Sequence, residues 1–124
     1  MNYTLDAGAI IAIERRRQRA VHLLATGRVM VPAPCFAEWW RGRSDRREDI
    51  RRAVVIDWLS ERTLKLAGEA LAAIAPKRGG RLLTIHAITI ASAASREGDV
   101  LVTTDAEDMF RLQAFFPAVR ILTV

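Results

Sequence analysis

Several things are scarce or missing in this chain, and each absence removes a class of protein. Cysteine occurs once, at Cys35, so an intrachain disulfide and a cysteine-based zinc knuckle are both excluded. No apolar run reaches the roughly 20 residues needed to cross a bilayer. No glycine-rich loop follows the first apolar segment. Asp6 stands there instead and would repel a phosphate, which argues against a flavodoxin-like nucleotide binder. Low-complexity tracts, internal repeats and a linker are also lacking. The N-terminus reaches Asp6 almost at once, so no signal peptide is expected. Lysine is rare as well, at Lys65 and Lys77 only, so the positive charge is almost all arginine. A reducing cytoplasm is the expected location.

What remains is a chain of 124 residues, 51% of them hydrophobic, enough to bury a core as one domain spanning 1–124. Its formal net charge of +5 sits in the first half: residues 1–52 hold eleven arginines against six acids, and residues 53–124 balance. The planar guanidinium fork can give phosphate two parallel hydrogen bonds, so a polyanionic partner is expected. A solvated, arginine-rich surface explains any single cluster equally well.

Apolar spacing and breakers predict strands alternating with helices. A strand at 3–5 leads into a helix at 7–15, and a second helix at 17–26 stops near Gly27. Val29–Val31 is the next strand, ended by Pro32 and Pro34. A helix at about 34–41 carries Phe36, Glu38, Trp39 and Trp40. After a polar turn, a helix is expected over 46–60, an edge strand over Arg62–Leu66 and a helix over 67–76. The small apolar stretch 83–97 suits a central helix ended by Gly98. Val100–Thr103 has the composition of a strand buried on both faces. A helix at 105–116 and a strand at 120–124 close the chain. The alternation implies a three-layer α/β/α fold with a mostly parallel central sheet.

Four acids follow strand ends: Asp6 after the first, Glu38 beyond the second, and Asp105 and Asp108 after Val100–Thr103. Strand ends of an open parallel sheet converge on one crevice, so the four are candidates for a shared site. Each also has an ordinary structural reading. Asp6 and Asp105 suit helix N-caps, Asp108 a capping-box position, and Glu38 an exposed helix face.

The pattern closely resembles the PIN domain, and within it the VapC-like toxin endoribonucleases. The residues that carry the resemblance are Tyr3-Thr4-Leu5-Asp6-Ala7-Gly8-Ala9, then Val31-Pro32-Ala33-Pro34 leading to Glu38 and Arg41, and above all Gly98-Asp99-Val100-Leu101-Val102-Thr103-Thr104-Asp105-Ala106-Glu107-Asp108. Residues 43–81 match only in length and pattern. The resemblance implies Mg2+ or Mn2+ held by Asp6, Glu38, Asp105 and Asp108, and RNA hydrolysis to 5′-phosphate and 3′-hydroxyl ends. It also implies a homodimer and a small VapB-like antitoxin whose helical tail blocks the site.

One acid of the family pattern is missing. Aligned without gaps on Gly98 and Asp105, the family's central-helix aspartate falls on Ala87. Either this is a degenerate copy or an active-site aspartate has been replaced; in both cases weak or absent activity is expected, with Ala87→Asp restoring it. The neighbouring His86 lies about 100° around the helix, so it is expected to point elsewhere, as a buried or capping side chain. Clustered acids repel each other, so at least one should have a raised pKa. Arg15, Arg16, Arg17, Arg41 and Arg43 are candidates to steer RNA by its phosphates, Arg41 foremost, one turn beyond Glu38. Thr103 and Thr104 are placed to hydrogen-bond a ligand carboxylate or the scissile phosphate. Trp39, Trp40 and Trp58 are candidate anchors for a partner chain, although two adjacent helical tryptophans cannot both be fully buried. The competing reading is a catalytically inactive PIN-like module that binds RNA or protein.

Overall fold

Five strands form one sheet in the computed structural model of the chain, which describes residues 1–42, 46–74 and 83–124, Arg19 by its backbone alone. The elements run β1 (Asn2–Leu5), α1 (Ala7–Glu14), α2 (Gln18–Thr26), β2 (Arg28–Pro32), α3 (Ala33–Trp40), α4 (Arg47–Ala53), β3 (Val55–Asp57), α5 (Glu61–Ile74), α6 (Thr84–Ala94), β4 (Val100–Thr103), α7 (Ala106–Gln113) and β5 (Arg120–Thr123). The strand order is β3-β2-β1-β4-β5, and every pairing is parallel. The chain steps outward from β1 to β3 on one side, then returns to lay β4 against the other side of β1. The order therefore reverses between β1 and β4, and a crevice opens at that point above the C-terminal strand ends.

Side chains alternate across the sheet, as a period of two requires. Tyr3, Leu5, Val29, Val31, Val100 and Val102 face the core shared with α1, α2, α3 and α4. Leu101 faces a second core with α5, α6 and α7, which includes Ala67, Ala70, Ala87, Ile90 and Met109. Sheet and helices thus make three layers. β4 is buried along its whole length, as its continuous apolar composition implied.

The middle of the chain departs from the expected elements. The helix expected over 46–60 stops at Ala53, and the edge strand lies at Val55–Asp57, not Arg62–Leu66. The β-branched run Val54-Val55-Ile56 is the cause: it favours extended backbone and pairs with Met30–Pro32. Asp57 Oδ1 then accepts the Leu59 N–H at 2.9 Å, and Leu59 turns the chain with φ at +68°. Ser60 Oγ accepts the Thr63 N–H at 3.1 Å and so caps α5, which absorbs residues 62–66. The end of the helix expected over 67–76 and the basic loop 77–81 reach outside the described residues. Gly98 takes the left-handed conformation, φ +81°, in the turn between α6 and β4, where a side chain would be strained.

Candidate metal centre

Asp6 leaves the central strand at the crevice and does two things at once. Its Oδ1 caps α1, accepting the Ala9 N–H at 2.8 Å. Its Oδ2 accepts the Thr103 hydroxyl. Burial pushes the Asp6 carboxyl above the usual range, against those two hydrogen bonds and His86, and the charge of Asp105 adds to the rise. A raised carboxylate was expected from repulsion among acids; burial is the larger cause.

Asp105 leaves β4 on the other side of the switch point. It stands at the N-cap position of α7. Its carboxylate faces His86, with Oδ2 3.0 Å from His86 Nε2. Burial draws this carboxyl upward, but the hydrogen bond and charge of His86, together with hydrogen bonds from Asp108, hold it below the ordinary value. Asp108, one turn into α7, puts its Oδ2 3.8 Å from the same imidazole nitrogen, and its Oδ1 lies 3.9 Å from Arg111. Ligand atoms of His86, Asp105 and Asp108 all fall within 4.8 Å of one another.

These residues share a cavity of about 190 Å3, walled by Asp6, Glu38, His86, Thr104 and Asp105 among others, with Cys35 and Thr89 behind. Glu38 is exposed on α3. The cavity adjoins a wider groove of about 670 Å3 that shares Ala7, Gly8 and Glu38 with it and carries Arg15 and Arg41 on its walls. Gly8 makes the narrow side: a Cβ there would come within 2.1 Å of Thr104 Oγ1, so glycine lets α1 approach the β4–α7 connection. Cys35 is buried, its Sγ 3.1 Å from Thr89 Oγ1, and burial pushes its thiol up to about 12.

The structure therefore brings Asp6, Glu38 and Asp105 to one cavity, with Asp108 in contact range of its wall. It does not bring Ala87 there. Ala87 is fully buried and belongs to the core shared with α5 and α7, where an aspartate would be an interior charge. His86 was expected to point away, and it points in. The stripe Ala87, Ile90 and Ala91, spaced i, i+3, i+4, marks the core-facing side of α6 and turns residue 86 toward the acids. That stripe was the available signal, and the gapless alignment on Gly98 concealed it.

The remaining candidates separate by burial. Thr103 is fully buried and holds both acids: its hydroxyl donates to Asp6 and accepts the Asp105 N–H at 2.9 Å. It orients carboxylates and has no access to a phosphate outside. Thr104 is exposed at the mouth. Arg16 lies apart, on a different depression with Arg46 and His22, and Arg17 caps α2 by its backbone. Arg43 lies outside the described residues. Trp39 is buried, its indole N–H donating to Glu14, while Trp40 stacks on Phe36 and under the Arg47 guanidinium at 3.6 Å. Trp58 alone of the three is exposed, at 77%.

The donor set suits a divalent cation. It offers two carboxylates and an imidazole within one coordination sphere's reach, with two further acids on the same cavity, and such hard and borderline donors hold Mg2+, Mn2+ and their neighbours.

No protein-family model and no curated protein matches the chain in sequence. In three dimensions it is similar to the crystal structure of VapBC2 from Rickettsia felis bound to a DNA fragment from their promoter, with a TM-score of 0.69 and 17% identity, over 100% of this chain and 99% of that one. The likeness shows the fold: a three-layer α/β/α arrangement around a parallel sheet, shared with that structure over the whole chain.

Proposed function

We propose that this chain is a metal-dependent endoribonuclease, the toxin half of a toxin–antitoxin pair acting in the cytoplasm. The observation that carries the reading is the cavity at the switch point, where Asp6, Glu38, His86 and Asp105 converge beside a groove that carries Arg15 and Arg41. Asp105, Asp108 and His86 would hold the ion directly, with Asp6 and Glu38 completing the set directly or through water. When bound, Mg2+ or Mn2+ would lower the pKa of its water and neutralise phosphate oxygens in line with the leaving group. The protein's own part is positional. Thr103 fixes Asp6 relative to Asp105 through a single hydroxyl. Arg15 and Arg41 attract the RNA backbone and lay a phosphate across the mouth, and Thr104 can donate to it. Carboxylates without a cation would repel that phosphate, so binding of RNA and binding of metal should be mutually dependent.

The proposed partners are an RNA substrate, a second copy of the chain, and an antitoxin with an acidic or apolar tail suited to the arginine-rich first half. A short neighbouring gene encoding a DNA-binding arm and an amphipathic tail would support that pairing. The test of the activity is cleavage of structured RNAs by the purified chain with Mn2+ or Mg2+. Cleavage should vanish with EDTA and with Asp6→Asn. If no RNA is cut with any divalent ion, the enzyme reading falls.

The second reading, a non-catalytic PIN-like module, draws on one observation. The His86 imidazole stands against Asp105 and Asp108, where it can offset part of their charge without a metal. RNA binding indifferent to EDTA and to Asp6→Asn would favour that module.

A further inference from the structure

We propose that His86 sets the metal preference of this centre, selecting manganese, cobalt, nickel or zinc over magnesium. The inference rests on the metal-dependent reading above and names which ion that site accepts.

Nε2 of His86 lies 3.0 Å from Asp105 Oδ2 and 3.8 Å from Asp108 Oδ2. Adjacent ligand atoms around one ion, each about 2.1 Å from it, stand about 3 Å apart, so the nitrogen occupies a ligand's place within the set. It is half-buried on α6 and faces both acids, so an ion held by Asp105 and Asp108 meets the imidazole in its inner shell. Magnesium bonds almost wholly through charge, demands oxygen donors and keeps much of its water. An imidazole gives it neither the negative charge nor the oxygen that a carboxylate would. The later first-row ions take nitrogen readily, with affinity rising from Mn2+ toward Cu2+. The same side chain therefore weakens one kind of ion and strengthens the other.

Isothermal titration of the full-length chain, free of any histidine tag, with MnCl2 and with MgCl2 tests this without reference to RNA. Wild type is expected to bind Mn2+ at least about tenfold more tightly than Mg2+. In His86→Asp the ratio should contract by about tenfold, through weaker Mn2+ and stronger Mg2+ binding. Pulsed electron paramagnetic resonance of the Mn2+ complex should show nitrogen-14 modulation in wild type and lose it in His86→Asp. The one other histidine, His22, is exposed on α2 and lines a separate depression, so it cannot supply the signal. If His86→Asp does not fold, His86→Ala serves: Mn2+ affinity should fall about tenfold with Mg2+ affinity little changed. Equal Mn2+/Mg2+ ratios in wild type and variants, or a Mn2+ complex without nitrogen modulation, overturn the proposal. So does an absence of metal binding altogether. Selective, nitrogen-coordinated Mn2+ binding with no RNA cleavage upholds it and removes only the nuclease reading.

Discussion

Two groups of carboxylates lie within this small fold, and they are managed in opposite ways. One surrounds Arg96, just past α6. Its guanidinium bonds Asp57 at 2.9 Å, Asp99 at 2.6 Å and the Thr4 hydroxyl at 2.8 Å, while Ser92 also donates to Asp57. These carboxylates meet a permanent cation, and the Asp57 carboxyl, drawn up by burial, is held below its ordinary value by Ser92 and Arg96. The other group, at the crevice, has Asp105 and Asp108 against one imidazole and the half-buried Asp6 on the same cavity, its carboxyl raised. In the first arrangement each carboxylate meets Arg96 as the chain folds, and Asp99 Oδ1 alone of its oxygens is buried without a hydrogen-bond partner. The second holds negative charge close together beside a single imidazole, which is how a fold keeps room for a ligand cation.

The largest expected difference follows from removing the cation of the first group. Arg96→Met leaves Asp57 and the buried Asp99 facing each other without compensation, and should cost about 3 kcal/mol of unfolding free energy. Chemical denaturation of the variant measures it. Metal affinity at the crevice should be unchanged under conditions where the variant is folded. A stability loss below about 0.5 kcal/mol would mean that the Arg96 group is not the structural one.

Next in size is the mirror experiment. Asp105→Asn should lower RNA cleavage at least about 100-fold, because it removes a carboxylate proposed to hold the ion. The melting temperature should scarcely move, because asparagine can accept the same backbone hydrogen bond from Asp108. A variant that unfolds early while keeping its activity would reverse the two assignments.

The two groups were not equally legible in the sequence. Asp6, Glu38, Asp105 and Asp108 could be found because a parallel sheet brings strand ends together, and the alternation of strands with helices gave that sheet. The strand at Val55–Asp57 was hidden because three residues leave no periodicity to read, and the neighbouring Arg62–Leu66 looked equally extended until Ser60 capped it. His86 was missed because its place depends on how α6 is rotated, a tertiary property set by the Ala87, Ile90 and Ala91 stripe. The Arg96 group was not foreseen at all. It joins Thr4, Asp57, Ser92, Arg96 and Asp99, whose only sequence signal is that each is polar in or beside an apolar segment.

A pH titration of stability in EDTA separates the groups by sign. Asp57 has a folded pKa below its unfolded value, so its contribution is present above about pH 4 and is lost as pH falls through the folded value. Asp6 has the opposite shift. The folded state holds its proton more tightly, so this group favours folding at low pH and opposes it once pH rises through its folded value. Asp6→Asn keeps the cap, since asparagine serves that position as well as aspartate. Relative to wild type, the variant should therefore gain stability as pH rises from acid toward neutrality. Asp57→Asn should be less stable near neutral pH, with a shallower loss on acidification. Two curves that shift the same way would remove the distinction between a satisfied carboxylate and a strained one.

The smallest effect concerns arginines that share a chemistry with Arg96 and none of its surroundings. Arg15 and Arg41 are exposed and stand over the groove that opens beside Glu38. Water screens them, so neither should contribute more than a few tenths of a kcal/mol to folding. Their influence should appear instead in the salt dependence of RNA binding, because each phosphate contact releases a condensed counterion. Removing both, as Arg15→Ala with Arg41→Ala, should reduce the slope of log K against log salt by about 1.4 for single-stranded RNA. It should weaken binding of different sequences about equally, since phosphate contacts carry no base information. Filter binding from low to physiological salt, with Arg16→Ala as the comparison, measures it. Arg16 lies on a separate depression and should leave the slope unchanged. If Arg16→Ala lowers the slope as much as the pair does, RNA is drawn by the charge of the whole first half rather than along this groove, and the crevice loses its claim to be where the backbone enters.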